Sequence, residues 1–233
     1  LTYFLVKFVS FLTGEELEIM PRRKKDHLMR WGVMGCASIF FALEGYIYLE
    51  SPDTNTPLVI SHRGVSNKNG VQNTVQSLEK TAQLKPDLIE MDVQETKDGQ
   101  FVMMHDANLK SLARINATPQ DLTLDELTNT DIYENGYQTK ISSFDAYLER
   151  ANALNQKLLI EIKTSKKDSP QMMDHFLEKY GTTIKKYGHQ MQSLDYHVID
   201  KVLAYDSEIP VYFILPYNSV FPRTKATGYT MEY

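Results

Sequence analysis

With 233 residues, a hydrophobic fraction of 42% and a net charge of −5, the chain has a globular composition and lacks the basic excess that nucleic acid as a partner calls for. The single Cys36 lies in an apolar N-terminal stretch, which excludes a disulfide framework or a thiolate metal site built within the chain.

The sequence opens at Leu1 inside the apolar run LTYFLVKFVSFL, too short to cross a bilayer alone, and reads as a fragment whose N-terminus lies upstream. The run from Trp31 to Leu49 has about the length of a transmembrane helix, with Glu44 its only charge and Trp31, Tyr46 and Tyr48 near its ends. A spanning helix is the expectation. A signal-peptide core and a buried helix are the alternatives, the former disfavoured because no small-x-small cleavage site follows. Between the two runs lie Arg22, Arg23, Lys24, Lys25 and Arg30, whereas Glu50 to His62 carries no basic residue. The positive-inside tendency therefore puts this loop in the cytoplasm and the chain from about residue 51 outside, at the cell membrane. Residues 1–50 read as a membrane-anchoring segment and 56–233 as a separate, incomplete barrel domain, joined by the Pro-rich linker SPDTNTP.

A first strand is expected at Leu58–Ser61, leading into His62-Arg63-Gly64. Asn73 and Thr74 open a helix with Val75, Leu78 and Ala82 on one face, and LIEMDV from Leu88 returns as a strand, so the unit is strand–helix–strand. Alternation puts Glu90 and Asp92 on one face of that strand. KDGQ then supplies a turn into the short strand FVMMHD, which delivers His105 and Asp106 at its end. From Ala107 to Gly136 the chain reads as a polar excursion with short helical pieces such as Thr123–Leu127. A helix follows from Ser142, then the strand Lys157–Lys163 with Glu161 and Lys163 on one face, a helix over about 170–187, and a strand near His189–Ser193. The helix Tyr196–Tyr205 and the strand Val211–Leu215 complete the pattern, and His189 and His197 are taken as surface residues in connections. Six strands with intervening helices and polar groups at strand ends predict an α/β fold, a TIM (β/α)8-type barrel that is C-terminally truncated; closure would need roughly 50 more residues. No glycine-rich phosphate loop follows the first strand, which weighs against a nucleotide-binding sheet.

The strand ends gather His62, Arg63, Glu90, Asp92, His105, Asp106, Glu161 and Lys163. Singly, each has a plain reading: Glu-x-Asp as a solvated face, Glu161 with Lys163 as a surface ion pair, His105-Asp106 as a turn. Jointly they describe a site. Three carboxylates without cysteine suit a hard divalent cation, Ca²⁺ or Mg²⁺. Arg63 and Lys163 would neutralise a phosphate, and two histidines divide the proton work, which together describe phosphodiester cleavage.

In the same order, His62-Arg63-Gly64, Asn73-Thr74, Ile89-Glu90-Met91-Asp92-Val93, Thr96-Lys97-Asp98-Gly99, His105-Asp106, Asp121-Leu122-Thr123 with Glu126-Leu127, and Glu161-Ile162-Lys163 resemble the motifs of the glycerophosphodiester phosphodiesterases. The resemblance spans about Leu58 to Leu215. It implies a TIM-barrel hydrolase releasing glycerol 3-phosphate and an alcohol, with Glu90, Asp92 and Glu161 as metal ligands, His62 and His105 as the acid–base pair, and Arg63 and Lys163 as phosphate contacts. It also implies that the glycerol 2-hydroxyl acts as first nucleophile, through a cyclic phosphate. The N-terminal apolar runs are similar to the tail of the multi-helix membrane region of some Gram-positive members. One departure is Val71-Gln72-Asn73-Thr74 where the family reads Pro-Glu-Asn-Thr, so a carboxylate near the metal or near Arg63 becomes a neutral amide; the other is the family's C-terminal end, which is missing. Two rivals stand beside this reading: a membrane-bound glycerophosphodiester-binding module without catalysis, and a phosphatidylinositol-type phospholipase on the same fold.

Overall fold

In the computed structural model, residues 33–39, 42, 57–215 and 224–231 are described. The chain divides into two units, Leu1–Thr56 and Pro57–Tyr233. Of the first, residues 33–39 and 42 are helical and exposed. The rest of the expected span Trp31–Leu49 and the basic loop lie outside the described residues. Among those described, no helix is long and apolar enough to cross a membrane.

The second unit is built on one sheet. Its strands are β1 (Ile60–Ser61), β2 (Leu88–Glu95), β3 (Phe101–Met103), then, after a separate two-stranded hairpin of β4 (Asp131–Glu134) and β5 (Tyr137–Lys140), β6 (Leu158–Ile162), β7 (Gln190–Ser193), β8 (Val211–Leu215) and β9 (Gly228–Met231). The seven-stranded sheet has the order β1-β2-β6-β7-β8-β9, with β3 also on β2. All its pairings are parallel except β2 with β3. Strand β1 pairs with Leu88 and Ile89 while β3 pairs with Val93 to Glu95, so the two short strands divide the length of β2 between them.

The helices α1 (Val75–Ala82), α2 (Lys110–Ala113), α3 (Leu124–Thr128), α4 (Phe144–Ala153), α5 (Met172–Tyr187) and α6 (Tyr196–Tyr205) fall between strands. Their ends follow from local chemistry. Thr74 caps α1 by accepting from the Ser77 N–H, with Ser77 reciprocating, and Ser143 caps α4 through the Ala146 N–H. Gly188, at φ +67°, ends α5 in the left-handed conformation. Phe144, Tyr147, Leu148 and Ala151 recur on one face of α4 and are buried. Phe144 meets Tyr180 edge-on at 4.7 Å, and Phe101 meets Phe176 likewise at 5.0 Å, so α4, α5 and β3 share an aromatic cluster.

The pleat sorts the strands. Ile89, Met91 and Val93 of β2 and Leu158, Ile160 and Ile162 of β6 join the core shared with the helices. Their alternates, Glu90 and Asp92 on β2 and Glu161 on β6, therefore point to the opposite face, and the parallel register sets Asp92 directly beside Glu161.

Four expectations change. The sheet has seven strands because Gly228–Met231 pairs along β8, beyond the sixth strand anticipated. Strand β2 continues to Glu95, since Gln94 and Glu95 pair with the antiparallel β3, so Glu90 and Asp92 lie mid-strand rather than at a strand end. The excursion after Asp106 holds the hairpin β4–β5 and encloses its own apolar cluster, formed with Val71, Val102 and Met104 by Leu109, Leu112, Leu127, Ile132 and Ile141. Finally, His189 is 1% exposed, unlike the exposed His197. Its Nδ1 accepts from the Leu158 N–H at 3.1 Å and its Nε2 bonds Asn152 Oδ1 at 2.9 Å, and burial lowers its pKa to about 4. It is a packed neutral group that ties α4 to β6.

Candidate functional site

The seven residues given roles from the sequence, with Asp106 beside them, converge on one site through hydrogen bonds and close charge contacts. His62, Arg63 and Gly64 form a single 3-10 turn after β1, with Arg63 at φ 53° and Gly64 at φ 67°. A Cβ on Gly64 would sit 2.6 Å from the buried Tyr147 hydroxyl, so the turn needs glycine there for space as well as for conformation. This tight turn brings the Arg63 backbone N–H onto Glu90 Oε2 at 2.7 Å and leaves the exposed His62 ring 3.9 Å from the same oxygen.

Glu90, Asp92 and Glu161 each offer an oxygen within 4.8 Å of the others, and all three are buried. Asp92 is held by Asn73, whose Nδ2 donates to Asp92 Oδ2 at 2.8 Å and whose Oδ1 accepts from the Asp92 N–H at 3.0 Å. Asn73 adopts φ 56°, a left-handed conformation that asparagine tolerates. Lys163 donates to Glu161 and lies 3.2 Å from Asp92 Oδ1, although without the alignment of a hydrogen bond. Gln192, from β7, donates to Glu161 Oε2 at 3.2 Å.

Burial first, and then the neighbouring Asp92, push the Glu90 pKa up to about 8. Burial likewise raises Glu161, with Lys163 opposing. Lys163 itself is held above its ordinary value by Asp92 and Glu161 against the pull of its own burial. Glu90 Oε1 and Asp92 Oδ1 are buried without a hydrogen-bond partner. Oxygen-only donors, crowded negative charge and unsatisfied lone pairs fit a hard divalent cation, because such an ion supplies the missing positive charge.

The second half of the site runs through Arg63. Its Nη2 contacts His105 Nε2 at 2.8 Å, and its Nη1 donates to Gln72 Oε1 at 3.1 Å. A guanidinium only donates, so His105 Nε2 is the acceptor and Nδ1 carries the proton, given to Asp106 Oδ1 at 2.8 Å. Ser111 donates to the other oxygen of Asp106. Burial works against the Asp106 charge, but His105, Ser111 and Arg63 together keep its carboxyl below the ordinary range.

All seven residues are thus brought together. The sequence reading did not foresee the grip of Asn73 on Asp92, the Ser111–Asp106–His105 chain, or Glu134. Glu134 accepts from both the side chain and the backbone N–H of Gln72, at 2.6 and 2.7 Å.

A largely parallel sheet interleaved with helices, bearing carboxylates and cations on one face, defines the α/β class of TIM-barrel-like proteins; here the parallel sheet is curled into a half-barrel. Residues 62–215 match the Glycerophosphoryl diester phosphodiesterase family, and the chain belongs to it. It is 40% identical over 74 residues to a glycerophosphodiester phosphodiesterase of Caldanaerobacter subterraneus, covering 32% of this chain and 30% of that protein. It is 26% identical over 171 residues to human lysophospholipase D GDPD1, covering 67% of this chain and 51% of that protein, so the chain spans about half the length or less of such curated relatives. Among solved structures, an Oleispira antarctica phosphodiesterase in complex with the product sn-glycerol-3-phosphate aligns with a TM-score of 0.59 at 22% identity, covering 69% of this chain and 66% of that one. A Galdieria sulphuraria structure described as a glycerophosphodiester phosphodiesterase aligns with a TM-score of 0.62 at 19% identity, covering 77% of this chain and 76% of that one.

Proposed function

We propose that the protein hydrolyses glycerophosphodiesters to sn-glycerol 3-phosphate and an alcohol. The observation that carries this reading is the convergence of three buried carboxylates, two cations and two histidines on one network. Glu90, Asp92 and Glu161 would hold a divalent cation, Ca²⁺ or Mg²⁺, which when bound neutralises phosphate charge as a Lewis acid. Lys163 and Arg63 contribute further positive charge, Arg63 as a planar donor suited to two phosphate oxygens.

A phosphate that takes the Nη2 hydrogen of Arg63 frees the lone pair on His105 Nε2. His105 then accepts the proton of the glycerol 2-hydroxyl as its oxygen bonds phosphorus, while Asp106 stabilises the resulting imidazolium through Nδ1. His62, on the solvent side of Glu90, donates a proton to the departing alcohol oxygen as the phosphorus–oxygen bond breaks, and water then opens the cyclic phosphate to sn-glycerol 3-phosphate. Release of sn-glycerol 3-phosphate is supported by the product named in the Oleispira antarctica complex. The name of the human relative adds lysophospholipids as a second substrate class for the same bond cleavage.

The apolar run at 31–49 and the basic residues before it support membrane attachment with the barrel domain, from about residue 56, outside the cell. Protease accessibility of intact cells tests that placement; a domain digested only after lysis overturns it. The activity is tested with the whole protein on glycerophosphocholine and glycerophosphoethanolamine, with and without chelator. Chelation is expected to abolish turnover, and His62→Ala or His105→Ala to lower it by ~10²–10⁴-fold. Undiminished turnover in those variants refutes the roles. Tight binding without turnover under Ca²⁺, Mg²⁺ and Mn²⁺ points to a binding module, and preference for intact lipid points to a phospholipase.

A further inference from the structure

Arg63 is a cation set among uncharged acceptors. Its guanidinium meets Gln72 Oε1 and His105 Nε2, its Nε is buried without a hydrogen bond, and among the described residues no carboxylate hydrogen-bonds the guanidinium, Glu90 accepting only from the backbone N–H. Two carboxylates lie one residue further out, Asp106 behind His105 and Glu134 behind Gln72. Gln72 Nε2 donates to Glu134 Oε1 at 2.6 Å, and the Gln72 backbone N–H donates to Glu134 Oε2 at 2.7 Å. The orientation of the amide is dictated by its neighbours, since arginine only donates and a carboxylate only accepts. The Gln72 dipole therefore lies between the two charges, with its oxygen toward Arg63 and its NH2 toward Glu134, and each bond polarises the next.

Glu134 is the last residue of β4, brought in from 62 positions along the chain. Its hairpin turn is fixed by Asn135 at φ 55° and Gly136 at φ +82°. Asn135 Nδ2 donates to the Gly70 carbonyl at 3.0 Å, clamping the same loop a second time. The hairpin thus grips the segment 70–72 from which Arg63 is oriented.

We propose that Glu134 is a positioning residue for the phosphate-binding arginine: acting through the Gln72 amide, it holds the Arg63 guanidinium in place and so sets the affinity of the site for a phosphate monoester or diester. This rests on the reading of Arg63 as a phosphate contact. Glu134 would touch neither substrate nor metal in this role.

The test is a double-variant cycle on the whole protein, reading KM and kcat for glycerophosphocholine and the affinity for sn-glycerol 3-phosphate by calorimetry. Glu134→Gln is isosteric and removes the charge, and is expected to weaken product affinity and raise KM by ~10-fold, with a smaller change in kcat. Gln72→Glu places two carboxylates at hydrogen-bonding distance and is expected to weaken affinity similarly. The exchange Gln72→Glu with Glu134→Gln rebuilds one carboxylate and one amide, and is expected to recover affinity to within ~3-fold of the original. Thermal midpoints measured alongside are expected to stay level, which a merely structural role would not allow. An unchanged Glu134→Gln protein, or losses that multiply in the double variant, overturns the proposal. Absent turnover refutes the proposed activity, and the affinity cycle then still decides the role of Glu134. Failure to bind either sn-glycerol 3-phosphate or inorganic phosphate overturns both.

Discussion

Protonation of His189 should govern the acid stability of the barrel unit. Its pKa stands near 4 in the fold against 6.5 in an open chain, because burial disfavours the imidazolium. The depressed value means that the unfolded chain binds the proton more readily. Its stabilising contribution is therefore complete above about pH 6.5 and is lost as pH falls from there toward 4. The ceiling is about 3 kcal/mol, from ~1.4 kcal/mol per unit, and about 2 kcal/mol is already lost by pH 5. His189→Gln supplies an oxygen for the Leu158 N–H or an N–H for Asn152 without the titration. Urea unfolding of both proteins at pH 8 and pH 5, under fixed cation concentration, isolates the effect, because the carboxylates common to both cancel in the difference. The stability gap between them should shift by about 2 kcal/mol against the histidine protein at the lower pH. A gap constant to within about 0.5 kcal/mol would refute the buried neutral histidine.

Three other perturbations have defined outcomes. Asn73→Ala removes both hydrogen bonds to Asp92 and puts alanine at φ 56°; it should cost about 3 kcal/mol in denaturant unfolding and weaken cation binding, and a loss under about 1 kcal/mol argues against that support. Gly64→Ala combines positive φ with a Cβ 2.6 Å from the Tyr147 hydroxyl, so a loss of about 2–4 kcal/mol and a shifted Arg63 are expected; a crystal structure with the turn unmoved would contradict this. Saturating Ca²⁺ or Mg²⁺ at 100 times its dissociation constant should stabilise the fold by about 2.7 kcal/mol and raise the thermal midpoint. That rise should vanish in Glu161→Gln, and its persistence would place the cation elsewhere.

How much was legible in the sequence depended on distance along the chain. The alternation in LIEMDV is a local property, and it put Glu90 and Asp92 on one face without reference to anything else. The helix Tyr196–Tyr205 and the strand Val211–Leu215 form at the bounds that the sequence predicts, and the structure shows the helix start to be local, capped by Asp195, as is the apolar VYFIL run. The hairpin β4–β5 does not stand out from the sequence pattern, although Asn135-Gly136 is a strong turn signal, since its strands are short, exposed and rich in polar residues. The burial of His189 had no such signal: it follows from Leu158 and Asn152, 31 and 37 positions away. The same is true of Glu134, whose contact with Gln72 exists only after folding. In the candidate site, residue types and their faces were readable. The tautomer of His105 and the partners that restrain Arg63 and Asp92 were not.

The separate apolar cluster beneath the excursion bears on how such a site can diversify. Because Leu109, Leu112, Leu127, Ile132 and Ile141 pack with one another around Val71, Val102 and Met104, the stretch from Ala107 to Ile141 behaves as a cassette resting on the β2–β3 end of the sheet. Changes inside it can leave the carboxylates on β2 and β6 undisturbed while altering what restrains Arg63. Under the proposed function, variation confined to this cassette would alter the restraints on Arg63, through Glu134, and on Asp106, through Ser111, while the three carboxylates stay where the sheet holds them.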